Sequence, residues 1–178
     1  MKAKYSRSSH YLGKEGQDYL SWQQQSGDLG GILDARTFQK GIAEKDCVID
    51  FGCGGGFLLK NLSCSRRIGI EVNPAACVVA KQNGIECYSD LEKLPNLLAD
   101  VVISNHALEH VPAPVEILVG LYNLLRSQGR IIVKVPIDDW RTQIRIKNVI
   151  SIITFTLGLR SYSSTASQRL ASTGKELV

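Results

Sequence analysis

The sequence predicts an α/β chain built on a doubly wound sheet of five parallel strands. Three observations carry that expectation. Short apolar runs recur at 47–51, 67–71, 85–88, 100–104 and 130–135, each of strand length and too short for a helix. Segments with helical spacing separate them, two of which open on a proline, at Pro74 and Pro114. The polar residues with chemical potential fall just after strands, where an open parallel sheet binds its ligands.

Composition sets the outer bounds. The 178 residues suit one domain with a real core, and 44% apolar and 21% charged residues are ordinary for a globular chain. No run of 18 apolar residues occurs, so no transmembrane helix and no membrane partner are expected. The polar, basic start from Met1 to His10 has no apolar core of a secretory signal. Five cysteines without a C-x-x-C pair argue against a disulfide framework and against zinc, and fit reduced thiols in the cytoplasm.

The elements follow in order. Residues 1–14 form an arm. Glu15–Gln25 reads as a helix with Tyr19, Leu20 and Trp22 apolar, ended by Gly27, Gly30 and Gly31; Ile32–Ile42 reads as a second helix. Cys47–Phe51 is the first strand and Gly56–Leu62 a short helix after it. Arg67–Glu71 is the second strand. Ala75–Gln82 is a helix closed by Asn83-Gly84. Ile85–Tyr88, Asp100–Ser104 and Arg130–Val135 are the remaining strands, with a helix over Val115–Arg126 before the last.

The centre of the chain is Val48-Ile49-Asp50-Phe51-Gly52-Cys53-Gly54-Gly55-Gly56, an apolar strand running into D-x-G-x-G-x-G. Glycines are needed where the backbone takes positive φ or approaches a ligand closely. Glu71 ends the next strand, 21 residues after Asp50, and an acid there can accept both hydroxyls of a ribose bound over the glycine turn. A dinucleotide fingerprint requires a third small residue in G-x-G-x-x-G/A, and counting from Gly52 or Gly54 that place falls on Phe57 or Leu59. An NAD-type oxidoreductase is disfavoured on that ground.

At this point the chain resembles the class I S-adenosylmethionine-dependent methyltransferases. The resemblance runs through V-I-D-F-G-C-G-G-G (48–56), G-I-E-V-N-P (69–74), Y-S-D-L-E-K-L (88–94), A-D-V-V-I-S-N-H-A-L-E-H-V (99–111) and L-L-R-S-Q-G-R-I-I-V-K-V-P (124–136). It implies a Rossmann-like fold, S-adenosyl-L-methionine as cofactor and methyl transfer. It implies site roles as well. Asp50 fixes the turn, and Gly52, Cys53, Gly54 and Gly56 pass under the methionine part. Glu71 and Val72 face the ribose. Asp90 and Leu91 flank the adenine. Asn105 lies at the methionine end, and His106 faces the substrate as the candidate base. The Tyr19–Trp22 helix is expected to cover the cofactor. Asp138 and Asp139 are alternative bases.

His106-x-x-Glu109-His110 also matches a zinc-peptidase signature. The strand immediately before it and the absence of a third ligand set that reading aside, so no metal is expected. His110 is read as a partly buried packing residue. No Asn/Asp-Pro-Pro-Tyr segment follows the fourth strand, which leaves a small-molecule acceptor, methylated on O, N or C.

The division expected is 1–45 as arm and covering helices, 46–140 as the cofactor core and 141–178 as a basic Ser/Thr-rich tail. Up to Trp140 there are 15 Lys/Arg against 16 Asp/Glu; beyond it, 6 against 1. Nucleic acid is not the expected partner, because the basic tail has no interleaved aromatics. Val149–Leu159 reads as a strand or a short buried helix, and Ser161–Gly174 as disorder. Proteins that this core resembles continue from V-P-I-D-D-W-R with a segment like N-H-H-L-Y-T-W-T-P. Codons permitted for the stretch after residue 148, read one base out of phase, allow a similar segment. A frameshifted end is therefore expected, with the closing antiparallel strand pair missing or altered. A truncated, non-catalytic cofactor-binding domain is the alternative function.

Overall fold

The computed structural model describes residues 11–95, 98–137 and 149–156, the last stretch as backbone. Its elements are α1 (Gly13–Phe38), β1 (Cys47–Phe51), β2 (Arg66–Ile70), α2 (Pro74–Gln82), β3 (Glu86–Tyr88), β4 (Ala99–Asn105), α3 (Pro114–Tyr122), β5 (Leu125–Ile137) and β6 (Val149–Thr156). The sheet order is β3-β2-β1-β4-β5-β6. The first five strands are parallel, and β6 lies antiparallel to β5. The predicted five-strand parallel sheet is therefore present, and among the described residues one antiparallel strand, β6, borders it at the β5 edge. Of the two readings of the stretch that starts at Val149, the strand is the observed one over Val149–Thr156, and 157–159 lie outside the described residues. The alternative bases Asp138 and Asp139 and the segment 161–174 lie outside the described residues.

β1 sits centrally, buried along its whole length, between β2 and β4. Chain order reverses there, so the carboxyl ends of these three strands open a crevice. Side chains alternate across the sheet. Val48 packs with Val101, Ile103 and Ile132 toward Phe38 of α1 and the Leu58–Leu62 segment. Ile49 packs with Ile68, Val102 and Ile131 toward Ile117 and Leu121 of α3. Fully burying one such side chain contributes roughly 1.5–3 kcal/mol. At the amino ends of the strands, Arg130 donates to the Gly41 carbonyl and to the buried Asp46 carboxylate, both at 2.6 Å. This ties the end of α1 to β5.

Two helix expectations are corrected. The predicted break at Gly27, Gly30 and Gly31 is absent: α1 runs unbroken for 26 residues. The glycines serve packing. A Cβ on Gly31 would stand 2.2 Å from the Phe57 carbonyl oxygen, and one on Gly27 would stand 2.7 Å from the Phe57 ring. Helix and loop approach closely because both positions lack a side chain. The predicted helix over 56–62 is instead a turn and a 3₁₀ segment, Leu59–Asn61. The Asn61 side-chain amide takes the Phe57 carbonyl at 2.8 Å, and the Leu62 N–H turns back to Leu59. These bonds satisfy the carbonyls that a longer helix would have used.

Strand β5 begins earlier than its apolar run, with a register shift opposite Ala99/Val101 and Gln128 at φ +66°. α3 accordingly stops at Tyr122. No helix among the described residues is long and apolar enough to cross a membrane.

Candidate functional site

The glycine turn leaves β1 in a left-handed backbone that only glycine adopts without strain: Gly52, Gly54 and Gly56 have φ of +79°, +54° and +74°. Gly52 and Cys53 both donate to the Ile70 carbonyl, at 2.8 and 3.2 Å, which folds the turn over the end of β2. A Cβ on Gly52 would stand 2.4 Å from that of Ala107, so the turn also abuts the loop after β4.

Glu71, the first residue past β2, is buried. Its Oε2 accepts the Gly54 N–H and its Oε1 the Asn73 N–H, both at 2.8 Å. Burial raises its carboxyl above the usual range, and the N–H donors of Asn73, Gly54 and Val72 oppose that shift by favouring the anion. Asp50 has the opposite balance. It is 2% exposed, and its Oδ1 has no hydrogen-bond partner. Burial, followed by the nearby Glu71 and Asp34 carboxylates, pushes it up to about 8.

α1 lies across the carboxyl ends of the strands. Beneath it are two adjoining clefts that share Gln23, Gly52 and Asn105. One, about 220 Å³, is lined by Tyr19, Glu71, Val72, His106 and Ala107, with Tyr11 and His110 beside them. The other, about 250 Å³, is lined by Trp22, Asp34, Asp50, Cys53, Gly54 and Gly55. The Tyr19–Trp22 segment expected to cover the cofactor borders both clefts, Tyr19 lining the first and Trp22 the second. Its seat is fixed where the Asn73 side-chain amide donates to the Gly16 carbonyl at 2.8 Å.

The structure thus brings Asp50, Gly52, Cys53, Gly54, Glu71, Val72, Asn105 and His106 to one cleft system. Gly56, Asp90 and Leu91 do not line it. Gly56 donates to the Cys53 carbonyl at 2.9 Å and packs on Ile85 and Ala80. Asp90 caps the 3₁₀ turn Leu91–Lys93, accepting the Lys93 N–H at 3.0 Å and the Ser89 hydroxyl at 3.1 Å. Its carboxyl lies below the usual range, because these bonds and the Lys93 charge outweigh a raising effect of burial. Leu91 packs against the α3 side of the core.

His106 stands at φ +54°, held there by its own N–H donating to the Lys134 carbonyl at 2.8 Å. Its side chain is 37% exposed, with Nδ1 3.4 Å from Glu109 Oε1. His110 departs from expectation. It lies exposed on a 3₁₀ turn, not partly buried on a helix, with its ring 5.9 Å from that of Tyr11. No group of His, Cys, Asp and Glu that could hold a metal occurs among the described residues.

Sequence reasoning missed Asp34, Lys134 and Gln23. Asp34 reaches down from α1 to accept from Asn105 Nδ2 at 2.9 Å and to pair with Lys134 of β5. The available signal was Lys134 itself, a cation set inside the apolar run IIVKV.

With this geometry in place, the comparisons with known proteins are specific. Residues 42–153 match the family model described as "Methyltransferase domain". The ribosomal protein L11 methyltransferase of Aliivibrio fischeri is 31% identical over 107 residues, covering 53% of this chain and 35% of that protein. The ubiquinone biosynthesis O-methyltransferase of Nitrosomonas europaea is 35% identical over 101 residues, covering 50% and 43%. The matched part of this chain thus spans less than half the length of these curated relatives. Among solved structures, the plantazolicin methyltransferase BpumL with a desmethyl-plantazolicin analogue and SAH superposes with a TM-score of 0.59 at 19% identity, over 75% of this chain and 58% of that one. A SAM-dependent methyltransferase of Thermotoga maritima gives 0.55 at 21%, over 71% and 60%. The chain belongs to the methyltransferase-domain family, and its fold is that of the class I S-adenosylmethionine-dependent methyltransferases.

Proposed function

We propose that this chain binds S-adenosyl-L-methionine in the paired clefts beneath α1 and transfers its methyl group to a small-molecule acceptor. The observation that carries this reading is the convergence on one cleft system of the positive-φ glycine turn, the anchored Glu71 carboxylate and the unpartnered acceptors Asp50 Oδ1 and Asn105 Oδ1. These residues fit the cofactor. Glu71 keeps lone pairs beyond its two backbone bonds for ribose hydroxyls. Asp50 and Asn105 offer acceptors to an amino-acid ammonium group. Gly52–Gly55 let the backbone approach it closely.

The bound cofactor supplies a methyl group activated on a sulfonium. The protein's own part is alignment and exclusion of water. Gln23 and Tyr19 of α1 roof the cleft, and Asn105 and His106 face the acceptor from the end of β4. Holding reactants in line supplies on the order of 7–11 kcal/mol in well-oriented models. His106 takes the proton of an acceptor hydroxyl or ammonium. Asp90 and Leu91 are proposed for the adenine edge on the family resemblance. The acceptor atom is O, N or C. Five free thiols fit work in the reducing cytoplasm.

Incubation with methyl-labelled S-adenosylmethionine and a cell extract tests the acceptor class. Label is expected in the small-molecule fraction. Label confined to protein would transfer the reading to a protein acceptor.

A further inference from the structure

Two buried carboxyls serve this cleft system, and the fold treats them differently. Glu71 receives backbone N–H donors on both oxygens. Asp50 Oδ1 receives none. Among the described residues, the titratable groups facing Asp50 are Asp34 from α1, Glu71 after β2 and Cys53 in the turn. Among the described residues, the cation paired with Asp34 is Lys134 of β5. Asn105 spends its Nδ2 on Asp34 and leaves its Oδ1 buried and unpartnered beside the same cleft. This end of the cleft therefore presents two orphaned buried acceptors among three carboxyls. A buried carboxylate oxygen without a donor, set among other carboxyls, is costly, and such a group takes up a proton instead. A ligand group bearing both positive charge and N–H donors removes that cost.

Resting on the cofactor reading above, we infer that Asp50 selects a cationic amine here by exchanging its proton: the ligand-free protein carries a neutral Asp50, and arrival of the ligand's ammonium group expels that proton to solvent. The step balances. The protonated carboxyl and the ammonium group become an ion pair, and one proton passes to the buffer; no bond to carbon changes. Affinity for a cationic ligand then rises with pH up to about 8, where Asp50 of the free protein ionises by itself. Asn105 contributes a neutral acceptor and takes no part in the exchange.

The test is calorimetric titration with S-adenosylmethionine at pH 6.5 in buffers of different ionisation enthalpy. Release of about one proton per ligand bound is expected from linkage. 5′-Methylthioadenosine, which lacks the amino-acid part, is expected to bind with no proton release. Asp50→Asn is expected to abolish the release seen with S-adenosylmethionine. Should that variant not fold, infrared difference spectra of wild type labelled with ¹³C-aspartate replace it, and a protonated-carboxyl band of aspartate is expected to vanish on ligand addition. Normal binding without proton release, or an unchanged carboxyl band, overturns the inference while leaving the cofactor reading intact. No binding at any pH overturns the cofactor reading, and the inference with it.

Discussion

Glu71 accepts the Gly54 N–H at 2.8 Å, so the acid after β2 grips the glycine turn after β1. One side chain thereby shapes the turn and offers its remaining lone pairs to the cleft. Replacing Glu71 with Ala should weaken S-adenosylmethionine binding about ten- to hundredfold, the range expected for lost hydrogen bonds to a charged group. Calorimetry reads the affinity. Glu71→Gln should recover little, because an amide oxygen and nitrogen cannot both accept.

Gly31 sets how closely α1 approaches the loop after β1. Gly31→Val would press a side chain onto the Phe57 carbonyl and lift the helix from the cleft. A loss of about 1–3 kcal/mol is expected from overpacking, hence a fall in Tm of several degrees. Thermal melts check this, and Gly30→Ala is the control, since nothing stands within 4 Å of a Cβ there.

Asp34 and Lys134 hold α1 to the sheet at the cleft, with side chains 26% and 11% exposed. Lys134→Met alone should destabilise the protein by about 2–3 kcal/mol, less than the 3–5 of a fully buried pair, because solvent screens Asp34. The double variant Asp34→Asn, Lys134→Met should recover part of that loss in urea denaturation.

The raised Asp50 carboxyl makes a pH signature of stability. A group whose pKa is higher folded than unfolded contributes stability fully below the unfolded value, near 3.9, and loses it as pH rises to the folded value of about 8. Denaturation of wild type and Asp50→Asn without ligand should therefore diverge steadily between pH 4 and 8, the variant gaining relative to wild type. Above pH 8 the difference should be constant.

The proposed role of His106 as base for the acceptor predicts that His106→Ala leaves S-adenosylmethionine affinity nearly unchanged. Methyl transfer to a hydroxyl acceptor should fall by about 10²–10⁴, the usual worth of a general base. An equal loss of affinity would make His106 a cofactor contact instead.

The sheet was legible because its signals are local and redundant. Strand runs such as 47–51 and 100–104 are uniformly apolar, and Pro74 and Asn83-Gly84 bracket α2. The glycine turn, Glu71, Asn105 and His106 were legible because each lies at or just past the carboxyl end of a strand. What failed was tertiary. Gly27 and Gly31 read as breakers until Phe57 is seen lying against them, and Leu58, Leu59 and Leu62 read as a helix face although all three are pulled into the core. Asp34 was invisible for the same reason. Its partners, Asn105 and Lys134, are 71 and 100 residues away.

The Asp50–Gly56 turn and Glu71 are proposed to form a cradle for a methionine nucleoside. Parallel calorimetric titrations with S-adenosylmethionine and NAD test it most directly. Micromolar binding of S-adenosylmethionine and no binding of NAD is the predicted result; binding of NAD alone would contradict it.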